Sequence, residues 1–437
     1  MNKIQARATV LNYHHGPRPP RPQSSVLRGS IVTAVPSCFL HENIMKDLTC
    51  SSTMFKQITV SAPSKVILHG EHAVVYGKSA VAASLDLRTK MYLTPLSDRQ
   101  HHVLEVDFPD VRVKHSWKGE DVENHLLKHR PSTFPRNEIS SVFLGLVQDF
   151  IRKTGDRYHQ DLQLASLTCF FYLYSILCQE FVPMKIKVES DIPIGAGLGS
   201  SAALSVCLAA GLHAIQSGKA QLDQHDQEYV CQLAFLSEKI LHGKPSGIDN
   251  AVSTYGGFLH FQNGCIEPIE PLKSINLRIL LVNSHIARQT KDLVSKVKAQ
   301  YDKDPSAVEP IFEAIHGTSK LFLETLASIG KEGDTEDKYT VLNDLICYNQ
   351  RLLETLQVSH PSLDAIVSLA QSYGLCGKLT GAGGGGFAFI LLRPCVNENI
   401  ILEVKEKLSQ QGFTCYEADL GVHGVRINSD NSICISQ

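Results

Sequence analysis

Apolar and polar positions alternate from residue 55 onward: Ile58 and Val60, then Val66 to Leu68, then Ala80 to Ala82. That period of two predicts strands of an antiparallel sheet. MKIKVES (184–190) predicts another strand, and LRILLVN (277–283) predicts the one that opens a second domain. The run CGKLTGAGGGGFAFILL (376–392) reads as a turn-rich loop entering a strand, and FTCYEADL (413–420) and GVRIN (424–428) predict the last two. Between these segments the period lengthens. Helices are predicted at about 138–153 and 160–179, and over 226–241, where Tyr229, Leu233, Leu236 and Ile240 recur at spacings of four, three and four. Helical patterns also fill 291–330, 337–357 and 361–373, whereas residues 91–140 are polar and irregular and predict nothing regular before 138. Strands and helices mix without strict alternation, which predicts an α+β fold.

Two stretches are apolar on nearly every face. LASLTCFFYLYSILC (164–178) falls short of the roughly 20 residues a membrane span needs and predicts a core helix. The segment 196–213 predicts a buried helix preceded by a loop.

Residues 1–53 carry no hydrophobic period. Lys3, Arg7, Arg18, Arg21 and Arg28 precede the first acidic residue, Glu42, and prolines cluster in HHGPRPPRPQ. Such a composition suits a targeting-like extension or a dispensable tail, with Met54 as an alternative start. The expected organisation is therefore an extension at 1–53, an N-terminal domain at 55–272 and a C-terminal domain at 273–437.

Composition adds exclusions. Hydrophobic residues make up 43% of the 437 and charged residues 20%, with a net charge of −2. This is the balance of a soluble globular protein, without the basic field that a nucleic acid or a membrane surface would select. Twelve cysteines are scattered without a C-x-x-C pair or a Cys/His ligand spacing, which suits free thiols in a reducing compartment.

The chemistry concentrates in three motifs. PIGAGLGSSAA (193–203) alternates Gly195, Gly197 and Gly199, then places Ser200 and Ser201 at the start of the predicted buried helix. Bare backbone feeding a helix N-terminus is an anion cradle. The plainer alternative is a helix capped by Ser200 or Ser201. The string is neither a Walker loop, which needs a lysine, nor a G-x-G-x-x-G turn. SAPSKVILHGEHAVVYG (61–77) offers Lys65 at the start of a strand and Glu71, His72 and Tyr76 in a turn, all of which are also ordinary surface and turn residues. KLTGAGGGGFAF (378–389) has four consecutive glycines, Gly383 to Gly386. Ordering them costs up to about 1 kcal/mol each relative to alanine, so the backbone there must approach something closely. Between the second and third motifs, SEKILHGKPSGIDNAVSTYGG (237–257) supplies Glu238 and Asp249; Asp249 and Asn250 are also suited to capping a helix. Together these pieces meet the needs of phosphoryl transfer: backbone donors, hard oxygens for magnesium, a carboxylate for an acceptor hydroxyl and a cation beside it.

The three motifs, in this order, resemble those of the GHMP kinases, the family that includes galactokinase and homoserine kinase. The strings KVILHGEHAVVYGK, GAGLGSSAA, HGKPSGIDNAVSTYGG and KLTGAGGGG, with RQTKDLV at 288–294, resemble most closely the members that phosphorylate the C5 hydroxyl of mevalonate for isoprenoid and sterol synthesis. The resemblance implies a two-domain fold, with an N-terminal domain like ribosomal protein S5 domain 2, a ferredoxin-like C-terminal domain and the site in the cleft. It implies Asp249 as catalytic base with Lys65 beside it, and Ser201 and Glu238 as magnesium ligands. ATP would be bound by Lys65, Ser190, Gly195, Ala196, Gly197, Leu198, Gly199, Ser200 and Ser201. Glu71, His72, Arg288, Thr290 and Ala382 would line the acceptor pocket, with Arg288 facing a carboxylate. A homodimer and competition by prenyl diphosphates against ATP are implied in the same way. Other acceptors (phosphomevalonate, galactose, homoserine) and a non-catalytic nucleotide sensor remain as alternatives.

The first motif departs from the family's usual A-P-G-K, since Ser64 stands where glycine is usual; a positive φ there would strain it. Near Pro109 and Asp110, where adenine contacts are implied, the usual asparagine is aspartate. Lys65-Val66, followed at a distance by His72-Ala73, resembles a peroxisomal signal but overlaps the first motif, so the cytosol is the expected location.

Overall fold

The computed structural model describes residues 54–96, 102–132, 138–155, 158, 160–193, 195, 197–269, 277–288, 290–332 and 336–433. The expected extension at 1–53 lies outside these residues, as does Ala196 of the glycine loop.

The expected first strands form one antiparallel pair. β1 (Met54–His69) and β2 (Ala80–Pro95) run beside each other, with register shifts between Pro63 and Ser64 and between Ile67 and His69. Lys65 therefore lies well inside a strand, just past an irregularity, and not at a strand start. The concern over Ser64 does not arise, because its φ is not positive. Ala80 to Leu85 in β2 are buried on both faces, and the small side chains from Ala80 to Ala83 let elements pack closely on each.

The segment expected to be irregular is mostly regular. β2 runs on to Pro95, and β3 (Val103–Phe108), β4 (Val113–Lys118) and a short helix α1 (Gly119–His125) follow. β3 alternates buried and half-buried positions with charged residues on its outer face, so it looks polar in sequence although Leu104, Val106 and Phe108 reach the core. α2 (Ser141–Thr154) is capped by Ser140, whose hydroxyl accepts from Phe143 N–H at 3.3 Å. α3 (Asp161–Leu177) is the expected core helix, and no helix among the described residues is long and apolar enough to cross a membrane. β5 (Met184–Ser190) then leads to the glycine loop.

α4 (Ser200–Ser217) is buried over most of its length and lies on β1 and β2. Gly211 makes that approach possible: a Cβ there would fall 2.0 Å from Met91 Cε. α5 (Gln224–His242) starts at a capping box between Asp223 and Asp226, and α6 (Ile248–Tyr255) packs beside it. The hairpin of β6 (Phe258–Gln262) and β7 (Cys265–Pro268), not expected from sequence, extends the sheet from β2.

The remaining elements are β8 (Leu277–Asn283), α7 (Thr290–Lys303), α8 (Pro305–Glu332), α9 (Glu336–Thr355), α10 (Pro361–Ser372), β9 (Gly377–Leu379), β10 (Phe387–Leu392), α11 (Glu398–Gln410), β11 (Thr414–Leu420) and β12 (Arg426–Ile433). The single helical pattern at 291–330 is thus two helices, and α11 was not expected.

The strands join one mixed sheet in the order β4-β3-β5-β2-β11-β8-β10-β9, with β1 between β2 and β12. β3 and β5 pair in parallel, and the other pairs are antiparallel. β12 returns from the C-terminal half to pair with β1, and β11 meets β2 at Leu420 and Leu85. One apolar core lies around α3 and α4; a second gathers Leu280, Phe312, Leu353 and Ile390 from the C-terminal half.

Candidate active site

The glycine loop ends against a charged pair. Gly195, Gly197 and Gly199 all have φ between +73° and +78°, a region that only glycine occupies without strain. The N-cap of α4 is Gly199, and no side chain caps the helix; neither Ser200 nor Ser201 does so. The N-terminal amides and the helix dipole are left for an anion. Lys65 N–H donates to Leu198 C=O at 2.9 Å, fastening the loop to β1.

Beneath Gly199 lies the pair Lys65 and Asp249, with Nζ and Oδ1 3.1 Å apart. A Cβ on Gly199 would be 3.0 Å from Lys65 Cγ and 3.8 Å from Asp249 Oδ2. Asp249 does not cap α6; that N-cap is Gly247, and the Asp249 carboxylate turns to the lysine instead. Lys65 is buried, and its partner's side chain is 36% exposed, so the carboxylate is open to a reactant.

Ser201, in the first turn of α4, donates its hydroxyl to Glu238 Oε2 at 3.2 Å and lies 3.1 Å from His242 Nε2. Ser205, one turn on, donates to Glu238 Oε1 at 3.3 Å. Burial and then the nearby Asp249 push the Glu238 carboxyl up to about 7, against the hydroxyls and Lys65, which lower it. A hydroxyl and a carboxylate placed together, the latter short of compensating positive charge, are a donor set suited to a hard divalent cation.

Arg288 follows β8 and crosses between two motifs. Its Nη1 donates to Thr380 C=O at 3.2 Å. A Cβ on Gly197 would fall 1.0 Å from its Nη2, one on Gly381 2.6 Å from Nη1, and one on Gly386 2.4 Å from Cδ. Glycines of the second and third motifs thus form a slot for one guanidinium. Burial lowers its pKa and Asp249 opposes that. We expect Gly197→Ala to displace Arg288 and lower kcat/KM by about 10²-fold, as ångström misplacements do. Gly195→Ala carries the same positive-φ strain but meets nothing within 4 Å, so it should be milder by the part that the clash with Arg288 contributes. Steady-state kinetics on both variants checks this, and equal effects would refute the slot.

The rest of the glycine run packs against the protein itself: Cβ atoms on Gly383, Gly384 and Gly385 would meet Val358 O at 2.0 Å, Leu293 Cδ1 at 2.6 Å and Ile286 O at 2.7 Å.

The first and third motifs interlock. Thr380 Oγ1 accepts from Ile67 N–H at 3.1 Å and donates to Ile67 C=O at 2.9 Å. His72 Nε2 donates to Ala382 C=O at 2.9 Å. Glu71 was expected to line the acceptor pocket, but its carboxylate is buried and both oxygens are taken internally. Lys378 Nζ binds Oε1, and Asn349 Nδ2 binds Oε2 at 3.0 Å. Gln350 Oε1 accepts from Leu379 N–H at 2.9 Å. Glu71 therefore ties the turn after β1 to α9 and β9.

Ser190 lies at the end of β5, where its N–H donates to Asp110 Oδ2 at 2.8 Å and its hydroxyl lies 2.9 Å from Thr89 Oγ1. Thr290 is exposed at the first residue of α7. Sequence reasoning did not single out Ser205, Asn349, Gln350, Lys378 or Thr380. Ser205 carried a signal, one helical turn beyond Ser201. Asn349 and Gln350 interrupt the apolar face of α9, and Lys378 stands inside the third motif.

Residues 167–257 match the family described as GHMP kinases N terminal domain, and residues 338–410 match GHMP kinases C terminal. These matches and the fold define the class as GHMP kinases. Mevalonate kinase of Mus musculus is 39% identical over 387 residues, covering 85% of this chain and 95% of the relative. Mevalonate kinase of Homo sapiens is 38% identical, covering 86% and 96%. The fold is shared with L. major mevalonate kinase in complex with R-mevalonate, at a TM-score of 0.61 and 21% identity, covering 86% of this chain and 99% of that one. Within the class, the chain belongs to the mevalonate kinase family.

Proposed function

We propose that this protein transfers the γ-phosphoryl group of ATP to the C5 hydroxyl of mevalonate, feeding isoprenoid and sterol synthesis. The observation that carries this reading is the Lys65–Asp249 pair packed under Gly199 at the N-terminus of α4. An acceptor hydroxyl at Asp249 is then beside the place where a terminal phosphate meets the helix amides.

Asp249 accepts the hydroxyl proton as the oxygen attacks phosphorus. Lys65, paired with that carboxylate at 3.1 Å, stabilises charge developing on the oxygen. The backbone from Gly195 to Ser201, with Ser190, binds the phosphates. Arg288 offers its fork to the mevalonate carboxylate, while His72 and Ala382 shape the pocket wall and Thr290 its rim. Ser201 and Glu238 would hold magnesium, which when bound offsets phosphate charge. The direct test is ADP release with mevalonate, phosphomevalonate, galactose and homoserine in turn. Mevalonate should be preferred, and preference for another alcohol would refute the substrate.

Glu238 sets a pH dependence. Its carboxyl is held up to about 7 when folded, so it is mostly protonated below that pH, and only the anion ligates a cation. The magnesium needed for half-maximal turnover should fall as pH rises from 6 to 8, and Glu238→Gln should flatten this trend to the part that titration of the ATP phosphates alone produces, measured as magnesium binding to free ATP over the same range. A flat dependence in the parent would refute the assignment.

Several companion readings go with the main one. The division into domains at 55–272 and 273–437 follows from the family resemblance; the second apolar core is drawn mainly from the C-terminal stretch, while the first core and the sheet continue across the boundary. A cytosolic location is the reading that the scattered cysteines of the sequence favour. A homodimer and inhibition by prenyl diphosphates competing with ATP follow from the family resemblance.

A further inference from the structure

Two thiols meet on the seam that joins the first and third motifs. Cys347 lies in α9, and Cys376 immediately precedes β9; their Sγ atoms are 2.7 Å apart. Both are partly exposed, so a small reagent can reach them. A bonded pair sits at about 2.05 Å, so closing the bond requires a shift of a fraction of an ångström. The site is also chemically distinct. Contact with Cys376, and then Gln371 and Arg351, lowers the Cys347 thiol pKa against its burial, while the same contact and burial raise that of Cys376, so the pair shares its first ionisation at Cys347; burial pushes the isolated Cys169, Cys178 and Cys207 up to about 12. A thiolate near neutral pH is the attacking species in disulfide exchange.

The two elements carry the buried cluster already described. Asn349 and Gln350 follow Cys347 on α9, and Lys378 follows Cys376 into β9. A bond between the thiols would clamp the framework behind His72 and Ala382.

We propose that Cys347 and Cys376 form a reversible disulfide in exchange with a low-molecular-weight disulfide such as oxidised glutathione. The Cys347 thiolate attacks one sulfur of the glutathione disulfide, whose S–S bond breaks and releases one glutathione thiolate. Once Cys347 is in the mixed disulfide, the Cys376 thiol gives up its proton and attacks the Cys347 sulfur; the Cys347–glutathione bond breaks, and the second glutathione leaves as the thiolate that takes up a proton. The two protein thiols lose two electrons and two protons, and the glutathione disulfide is reduced to two glutathione molecules.

The test uses the full chain equilibrated in glutathione buffers of graded redox poise, quenched by alkylation and mapped by mass spectrometry. The expected product is a cross-linked peptide pair containing Cys347 and Cys376, removed by dithiothreitol. Cys376→Ser should instead accumulate a glutathione adduct on Cys347, and that variant keeps the proposal testable if the cross-link alters folding. Amides of α9 and β9 should exchange hydrogen at least tenfold more slowly in the oxidised protein. Absence of the cross-link in the most oxidising buffer, or pairing of Cys347 with another cysteine, would overturn the disulfide, and unchanged exchange in the cross-linked protein would overturn the clamp. These readouts do not involve turnover, so they stand or fall apart from the assigned reaction.

Discussion

Asp249→Asn is expected to lower kcat by about 10²–10⁴-fold, the usual contribution of a positioned base. The amide keeps the shape of the side chain and can still face Lys65, but it cannot take the proton of an acceptor hydroxyl. ATP should bind as before, because the phosphate cradle at 195–201 is fastened to β1 through the backbone contact between Lys65 and Leu198. The measurement is coupled ADP release alongside equilibrium ATP binding. Turnover within a few-fold of the parent would mean that the carboxylate only orients the acceptor. Loss of ATP binding would mean that Asp249 holds the loop, and the base assignment would fall with it.

The second large effect concerns the buried pair beneath the motif seam. Lys378 and Glu71 are almost wholly excluded from water. Burial lowers the Lys378 pKa, and Glu71 opposes that shift. Lys378→Met leaves the carboxylate buried without its cation, which should cost about 3–5 kcal/mol of stability. Combining it with Glu71→Gln removes the orphaned charge while keeping an acceptor for Asn349. The double variant should therefore recover most of the loss, as neutral replacements of buried ion pairs do. Denaturant unfolding with an unchanged slope measures both. A single variant as stable as the parent, or a double variant no better than the single, would show that the pair contributes little.

Much of the site was legible in the chain because its chemistry depends on local strings. Glycines that must hold positive φ, and a helix that must start immediately after them, leave a pattern independent of the rest of the fold. The role of Asp249 was readable only as a candidate, because an aspartate near a turn is also a good cap. Its rotation toward Lys65 is decided by β1 passing under α6. The strands between 91 and 118 were missed because charged residues on their outer faces mask the inward Leu104, Val106 and Trp117. The four-glycine run was read correctly as a close approach, but what it approaches is the protein's own backbone and side chains.

The class of reaction, the three motifs and most elements of the fold were readable along the chain, since each rests on residue types within one short window. Tertiary structure alone decided which distant residues meet. It brought Lys65 to Asp249, Ser201 to Glu238, and Arg288 into a slot made by glycines of two motifs. It also turned Glu71 inward to Lys378 and Asn349. The physical reason is that a buried charge must find its partner wherever the packed chain supplies one, and no local pattern encodes that partner.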